Sequence, residues 1–278
     1  MYKTYLTNGK QLSFNKPQVM AIINVTPDSF YDGGKFSSIS DVINDADEKI
    51  RQGATIIDIG AASSKPDAKP LTAKEEMVRL AEPLSQLRKE FPHVFISVDT
   101  YLAEVADMSI SLGADIINDI SGGVLDANMI DVVAKNDIPY VMMHMQGTPQ
   151  TMQQNPTYHH VVTEVKSFFE KTIQICKNKG FEKLIIDVGF GFGKSVEHNY
   201  QLLKHLDEFK SFECPLLVGF SRKSMINKVI HTNPNTALNG TTVLNTLALT
   251  HGASVLRVHD VKEAQQAIDL YSFYKSVD

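Results

Sequence analysis

Polar and charged side chains stand at or near the ends of the short apolar runs of this sequence, and these residues could do chemistry. Carboxylates and amides hydrogen-bond to a polar ligand, whereas lysine and arginine bind oxyanions. Because the formal net charge is −5, an anionic substrate must be met by cations placed locally. We expect one shared pocket to be formed by Asn24, Asp58, Asp99, Asn118, Asp119, His144, Asp187, Ser221, Arg222, Lys223, Arg257 and His259.

The segment Gly219–Ser224 (GFSRKS) predicts an anion site. It opens a helical segment, and the first backbone N–H groups of a helix have no partners within the helix. Lys223 and Ser224 add a cation and a hydroxyl at the same place. Arg257 and His259 end the last apolar run, and barrel enzymes often bind phosphate at their last two strand ends.

Three loops carry residues suited to contacting a ligand. Thr26–Phe36 (TPDSFYDGGKF) is long and glycine-bearing, which is typical of a lid, and Ala61–Lys69 (AASSKPDAK) offers hydroxyls and a lysine. In Asp187–Lys194 (DVGFGFGK), glycines allow close backbone approach to a ligand, and Phe190 and Phe192 could stack on it. The first two loops are equally compatible with a plain solvated connection. Glycines also serve plain turns, but the strand-end carboxylate beside the third loop favours a ligand contact there.

Eight apolar runs must position these residues, and their Val/Ile/Leu composition without alternation predicts strands buried on both faces, as in a parallel sheet. The runs are Val19–Asn24, Thr55–Gly60, Val94–Asp99, Asp115–Asp119, Pro139–His144, Leu184–Gly189, Leu216–Phe220 and Val255–His259. Segments with helical periodicity lie between and after them. These are Ile39–Arg51, Thr72–Lys89, Tyr101–Leu112, Ala127–Lys135, Val161–Lys179, Val196–Phe209, two pieces within Lys223–His251, and Ala264–Tyr274.

Eight βα units favour a closed barrel over an open doubly wound sheet. Ahead of them, Lys3–Leu6 and Leu12–Phe14 flank an Asn8-Gly9 turn, which is a hairpin signal. We expect this hairpin to plug the bottom of the barrel. The predicted fold is therefore an α/β (β/α)8 TIM barrel with a short N-terminal β-hairpin, forming one domain over residues 1–278.

Composition excludes several classes of protein. The negative net charge argues against nucleic-acid binding, and no apolar stretch approaches the roughly 18 residues of a membrane span. Cys176 and Cys214 have neither metal-ligand nor CxxC spacing, so we expect two inert thiols in a reducing compartment. With no apolar signal segment at the N-terminus, the expected location is the cytoplasm.

Six motifs in order give this sequence a resemblance to the dihydropteroate synthase family, from about Met20 to about Ile268. The motifs are Asn24–Gly34 (NVTPDSFYDGG), Asn118–Gly123 (NDISGG), Met143–Pro149 (MHMQGTP), Gly189–Asn199 (GFGFGKSVEHN), Ser221–Ser224 (SRKS) and Arg257–Asp260 (RVHD). The resemblance implies a transferase of folate biosynthesis. Such an enzyme joins 6-hydroxymethyl-7,8-dihydropterin pyrophosphate to 4-aminobenzoate and releases pyrophosphate.

The resemblance also implies roles for individual residues. The pterin is expected to bind Asp99, Asn118, Asp187, Lys223 and Arg257. Pyrophosphate is expected to bind Asn24, Arg257, His259 and a Mg²⁺ ion, for which Asn24 is the protein ligand. Aminobenzoate is expected to bind Ser64, Phe192 and Ser224. The expected catalytic residues are Asp32, Lys223, Arg257 and His259, with Asp32 near the developing carbocation of an SN1-like step. A homodimer is the family's usual state.

The second loop departs from the family. Members commonly carry Gly-Glu-Ser-Thr-Arg-Pro-Gly there, whereas Ala61–Asp67 reads AASSKPD, and Val188 replaces a usual proline. Ser64 keeps a hydroxyl, and Lys65 keeps a charge but loses the arginine fork. The loop resembles that of sulfonamide-resistant members, yet their Phe-Gly insertion after Asp187 is absent. The family is a sulfonamide target, and the response of this chain stays open.

Two other interpretations remain. A pterin- or folate-dependent methyltransferase domain shares the barrel and a similar pocket but needs no pyrophosphate site, so the first-loop motif, Lys223 and the Arg257/His259 pair argue against it. A pterin-binding paralogue with weak activity is the other, and the altered second loop keeps it open.

Overall fold

Eight short parallel strands close into a barrel in the computed structural model, which describes residues 3–25, 38–62 and 70–277. The barrel strands are β3 (Gln18–Asn24), β4 (Ile56–Gly60), β5 (Phe95–Asp99), β6 (Ile116–Asp119), β7 (Tyr140–Met143), β8 (Leu184–Asp187), β9 (Leu216–Val218) and β10 (Val255–Val258). Each strand pairs with its sequence neighbours, and β10 closes the ring on β3. The predicted barrel is confirmed.

Helices surround the barrel and bury their apolar faces against it. They are α1 (Ile39–Arg51), α2 (Ala73–Glu90), α3 (Ala103–Ser111), α4 (Met129–Lys135), α5 (Val161–Asn178), α6 (Val196–Lys204), α7 (Ser224–Ile230), α8 (Leu238–Thr250) and α9 (Val261–Ser276). Capping boxes begin α1 at Ser38 and α2 at Thr72, so local sequence fixes where these helices start. Among the described residues, no helix is long and apolar enough to cross a membrane.

Several predicted elements end earlier than expected, and for one helix and one strand the local cause is visible. The helix predicted over Val196–Phe209 stops at Lys204, and a 3-10 helix follows over Leu206–Phe212. Leu206 and Phe209 are both buried, and their spacing of three residues satisfies either helix type. The strand predicted to reach Gly189 stops at Asp187, whose Oδ1 accepts the Gly189 N–H at 2.8 Å and turns the chain.

The N-terminal hairpin closes the lower end of the barrel, as predicted. Strands β1 (Thr4–Thr7) and β2 (Lys10–Ser13) pair around Asn8 and Gly9, both of which have positive φ. Tyr5, Leu12 and Phe14 form a second core with the inward residues at this end. Those inward residues are Met20, Ile56, Ile116, Val141, Ile185, Leu217 and Val255.

One buried carboxylate ties the hairpin to the barrel. Asp115 is fully buried and accepts hydrogen bonds from Lys10 Nζ at 2.6 Å, Asn8 Nδ2 at 3.0 Å and the Ile96 N–H at 2.8 Å. Arg88 of α2 is its fourth partner. Because a buried charge is costly unless it is paired, these four donors make Asp115 a structural anchor.

We predict that Asp115→Asn destabilises the protein by about 3–5 kcal/mol, because Lys10 and Arg88 lose a buried counter-charge. Urea unfolding measures the change. The matched control is Asp131→Asn, whose carboxylate is 62% exposed in its pair with Lys179 and should cost less than about 1 kcal/mol. Equal losses in the two variants would contradict this role.

Candidate functional site

The carboxyl ends of the barrel strands bring polar side chains together from distant parts of the chain. Asn24, Asp99 and Asp187 are the last residues of β3, β5 and β8, and Asn118 is one residue from the end of β6. Arg257 is the third residue of β10. Since all eight strands run parallel, these residues share one end of the barrel, which is where barrel enzymes place their active sites.

Arg257 lies between two carboxylates. Its Nε donates to Asp58 Oδ2 at 2.7 Å, and its Nη2 donates to Asp99 Oδ2 at 2.6 Å. Asn118 Nδ2 also donates to Asp58 Oδ2, at 3.2 Å. Because two of its nitrogens are held by side chains from different strands, the guanidinium has a fixed plane.

Asp58 is a member of this cluster whose partner the sequence alone does not reveal. It is fully buried inside β4, and its Oδ1 has no hydrogen-bond partner among the residues that the structure describes. The signal in the sequence is a carboxylate inside the apolar run TIIDIG, because a buried carboxylate requires a cation or several donors.

Burial shifts the pKa values of the groups at this end of the barrel. Burial raises the pKa of Asp99 to about 7. The positive charge of Arg257 opposes this shift, and the negative charge of Asp58 reinforces it. Burial lowers the pKa of Lys223 to about 8, although Asp187 opposes the change. The pKa of Asp187 is raised by burial against the influence of Lys223. A cluster of buried carboxylates and cations with shifted pKa values is typical of a functional site.

The glycine-containing loop after β8 places Lys223 beside an aromatic ring. Lys223 Nζ donates to the Phe190 carbonyl oxygen at 2.6 Å and lies 4.7 Å from the centroid of the Phe192 ring. Gly191 has a φ of +82°, and a Cβ there would lie 3.2 Å from Lys223 Cδ. The loop therefore requires glycine to hold the lysine at this point.

The two phenylalanines of this loop have different surroundings. Phe190 is 1% exposed and packs against Phe220 with ring centroids 4.5 Å apart. Its predicted stacking on a ligand is therefore wrong, because the side chain belongs to the core. Phe192 is partly exposed and stays a candidate for ligand contact.

The loops after β9 and β10 are joined by Arg222. Its Nε and Nη2 donate to the two oxygens of Asp260 at 2.9 and 2.7 Å, and it has a positive φ of +57°. Nearby, the His259 N–H donates to Ser221 Oγ at 3.2 Å. These bonds hold Lys223 and the exposed Ser224, at the start of α7, next to the end of β10.

His144 and Asp119 follow or end barrel strands, as expected for the shared pocket, but both side chains are buried and make contacts within the protein. His144 is 8% exposed and its Nδ1 lies 3.1 Å from Lys194 Nζ. Burial and then the charge of Lys194 lower the pKa of His144 to about 2, so the ring is neutral. Asp119 is fully buried and bonds to its own loop and to Tyr140.

Two predicted site residues, Asp32 and Ser64, lie outside the described residues, as do Lys65 and most of the first two loops. Within the described part of the chain, no group of three or more His, Cys, Asp or Glu side chains could hold a metal ion. Asn24 is exposed at the end of β3 and offers an amide oxygen, which is a ligand type that Mg²⁺ accepts.

Comparison with known proteins identifies relatives over nearly the whole length. A family model described as "Pterin binding enzyme" matches residues 20–259. The dihydropteroate synthase of Escherichia coli (strain K12) is 44% identical over 262 residues, which covers 94% of this chain and 92% of the relative. The dihydropteroate synthase of Haemophilus influenzae is 41% identical over 266 residues, which covers 95% of this chain and 96% of the relative.

Solved structures agree with these relatives. The crystal structure of the Yersinia pestis dihydropteroate synthase with a sulfonamide drug complex superposes with a TM-score of 0.93 at 40% identity, covering 99% of this chain and all of that one. The Xanthomonas albilineans dihydropteroate synthase with 4-aminobenzoic acid gives a TM-score of 0.92 at 34% identity, with both chains covered completely.

The neighbours Asn118 and Asp119 should respond differently to substitution. Asp119 accepts four bonds of 2.7 Å, from the Ser121 N–H and hydroxyl, the Gly123 N–H and the Tyr140 hydroxyl. Asp119→Asn places an N–H donor against these donors and should cost about 3 kcal/mol of unfolding free energy. Asn118→Ala, measured by the same urea titration, should cost no more than about 1 kcal/mol. The opposite order would show that Asn118, and not Asp119, builds the loop.

Proposed function

This chain belongs to the dihydropteroate synthase family of pterin-binding enzymes, and from that premise we propose that it joins 6-hydroxymethyl-7,8-dihydropterin pyrophosphate to 4-aminobenzoate, giving 7,8-dihydropteroate and pyrophosphate. The observation that carries this proposal is the set of strand-end residues Asp99, Asn118, Asp187, Lys223 and Arg257, which the barrel brings to one end. We place the reaction in the cytoplasm.

The pterin would be recognised through its planar edge of N–H donors. Asp187 suits this task because the Gly189 N–H fixes the plane of its carboxylate. Asn118 and Asp99 would complete the polar contacts. Lys223, which donates to the Phe190 carbonyl in this structure, would turn to the acceptor side of the ring.

Arg257 would serve both the pterin and the pyrophosphate. Asp58 and Asp99 hold its Nε and Nη2, which leaves the flat face of the guanidinium for stacking and Nη1 for an oxyanion. His259 and Asn24 stand at the ends of neighbouring strands, since β10 pairs with β3. These three residues are the proposed pyrophosphate site.

A Mg²⁺ ion fits this site as a companion of the substrate. Magnesium usually takes one or two protein oxygens and completes its shell with phosphate oxygens and water. The Asn24 amide oxygen supplies such a ligand, and we propose that the metal binds there with the pyrophosphate. When bound, the ion would neutralise charge on the leaving group.

The proposed reaction replaces one bond at the pterin methylene. The carbon–oxygen bond breaks, and its electron pair leaves with pyrophosphate, whose charge Arg257 and His259 would stabilise. The aminobenzoate nitrogen then bonds to the methylene carbon and loses a proton to solvent. No strong base is needed because an aniline nitrogen is neutral at pH 7. Asp32 stays the proposed stabiliser of the developing cation.

Aminobenzoate would lie between the pterin and the loops. Partly exposed Phe192 offers a ring face, and Ser224 at the start of α7 offers a hydroxyl for the carboxylate. Ser64 stays a proposed third contact. We propose that sulfonamides compete with aminobenzoate here, which the sulfonamide complex of the Yersinia pestis relative supports.

The test of this function is a coupled assay with the pterin pyrophosphate, Mg²⁺ and 4-aminobenzoate. The expected result is equal amounts of pyrophosphate and dihydropteroate, with the product identified by mass spectrometry and its formation reduced by a sulfonamide. Pterin binding with no product above background would favour the pterin-binding paralogue with weak activity. Absence of both binding and release would contradict the synthase and leave the methyltransferase to be tested.

We predict that Asp187→Ala weakens pterin binding by about a hundredfold, because the N–H donors of the ring lose their acceptor. Isothermal calorimetry measures the Kd. Asp131→Ala on the surface of α4 is the control and should leave the Kd unchanged. An affinity of Asp187→Ala within about threefold of the unchanged protein would contradict the assignment.

The homodimer usual for this family is also proposed here, and an apolar surface supports it. Three adjacent helices, α7, α8 and α9, expose large apolar side chains. These are Val229, Ile230, Val243, Leu247, Leu270, Phe273 and Tyr274. A surface of this kind is typical of a protein–protein interface, and we assign it to a second copy of the chain.

Leu247→Glu should therefore convert the dimer to a monomer, because a charge in an apolar interface is costly. Light scattering after size-exclusion chromatography should change from about twice 30.9 kDa to 30.9 kDa. Val78→Glu is the control, since Val78 is an exposed apolar residue on a different helix, α2. Unchanged protein that elutes as a monomer would contradict the proposed dimer.

A further inference from the structure

Lys194 is a buried lysine at the end of the loop that follows β8. The residue is only 4% exposed. Its ammonium donates to the carbonyl oxygens of Gly189 and Phe192, each at 2.9 Å, and of His144, at 3.2 Å. The neutral ring of His144 offers a fourth acceptor at 3.1 Å. Four acceptors thus surround the three N–H groups of the ammonium.

These contacts join the loops after β7 and β8. His144 follows β7, whereas Gly189 and Phe192 follow β8. The two backbones are in direct contact, because a Cβ on Gly189 would overlap the His144 carbonyl oxygen. Two backbones this close present carbonyl oxygens to the same space, and the ammonium of Lys194 provides the donors that they require.

The loop after β8 also connects Lys194 to Asp187, a residue proposed to bind the pterin. The carbonyl oxygen of Gly189 accepts from Lys194, and the N–H of the same residue donates to Asp187 Oδ1 at 2.8 Å. Lys223 also donates to the backbone of this loop, at the Phe190 carbonyl. Two ammonium groups therefore bind carbonyl oxygens of the segment from Gly189 to Phe192.

We infer that Lys194 is a positioning residue, which fixes the carboxylate of Asp187 and the ring of Phe192 for the two substrates. The inference rests on the proposed function for the identity of those substrates. Lys194 does not touch them, because its ammonium is enclosed by the backbone of its own loop and by His144. It acts through the two backbone groups of Gly189, the carbonyl that it binds and the N–H that binds Asp187.

The electrostatic cost of this lysine supports a specific role. Burial lowers the pKa of Lys194 to about 7, although the charge of Asp187 opposes the change. A methionine would fill similar volume without that cost, so packing alone does not explain a cation here. The directed N–H groups distinguish lysine from methionine.

The test uses Lys194→Met, with Lys204→Met as the matched control on the exposed end of α6. The first measurement is hydrogen exchange of the Gly189 amide without ligand, and the second is the Kd of the pterin pyrophosphate by calorimetry. Lys194→Met should speed the exchange about tenfold and weaken pterin binding about tenfold. The control should change neither.

Unchanged exchange of Gly189 would overturn the inference, as would faster exchange with unchanged pterin affinity. The exchange measurement needs no substrate, so failure of the proposed function would leave its result unaffected. Lys194→Gln is the second variant, which keeps two N–H donors and should give an exchange rate between those of lysine and methionine. If the methionine variant does not fold, an exchange rate in Lys194→Gln equal to that of the unchanged protein overturns the inference.

Discussion

The guanidinium of Arg257 is held between Asp58 and Asp99, and the geometry of the whole upper end of the barrel depends on this contact. The partners lie 199 and 158 residues away in sequence. They meet only because β10 pairs with β3 and closes the ring. A cation or carboxylate left alone at this depth would cost several kcal/mol. Closure of the barrel and assembly of the charged cluster therefore stabilise each other.

The two ends of the barrel use buried charge for different purposes. At the lower end, donors from the hairpin, α2 and β5 occupy both oxygens of the Asp115 carboxylate. At the upper end, one carboxylate oxygen of Asp58 has no partner among the described residues. The negative charge of Asp187 and the positive charge of Lys223 partly compensate each other there. An unsaturated cluster can exchange its internal contacts for contacts to a charged substrate, which a saturated one cannot do.

Much of this fold can be predicted from short stretches of the sequence. Runs of Val, Ile and Leu predict the eight strands, the Asn8-Gly9 pair predicts the hairpin, and the parallel arrangement then places Asn118, Asp187 and Arg257 at one end. These predictions succeed because hydrophobic period and turn chemistry depend on neighbouring residues, and the helical connections then make successive strands parallel.

Contacts between distant residues cannot be predicted from short stretches of sequence. The contact of Lys194 with His144 spans 50 residues, and nothing local to either residue specifies the other. Phe190 and Phe192 have the same type and lie two residues apart, yet one enters the core and the other stays at the site. The turn that separates them is set by packing against Phe220 and Lys223, which a sequence pattern does not contain. The bonds of Asp58 with Arg257 and Asn118 likewise join residues that are far apart in sequence.

The most direct test of this account compares the affinities of the pterin pyrophosphate and of the pterin alcohol without phosphate, by calorimetry in the presence of Mg²⁺. The unchanged protein should bind the pyrophosphate at least about a hundredfold more tightly, because Arg257 and His259 meet its charge. Arg257→Met should lose most of that preference, and its loss of affinity for the alcohol, which comes from the missing stacking face, should be clearly smaller than its loss of affinity for the pyrophosphate. Full discrimination in Arg257→Met would contradict the account, since the anion would then be bound elsewhere.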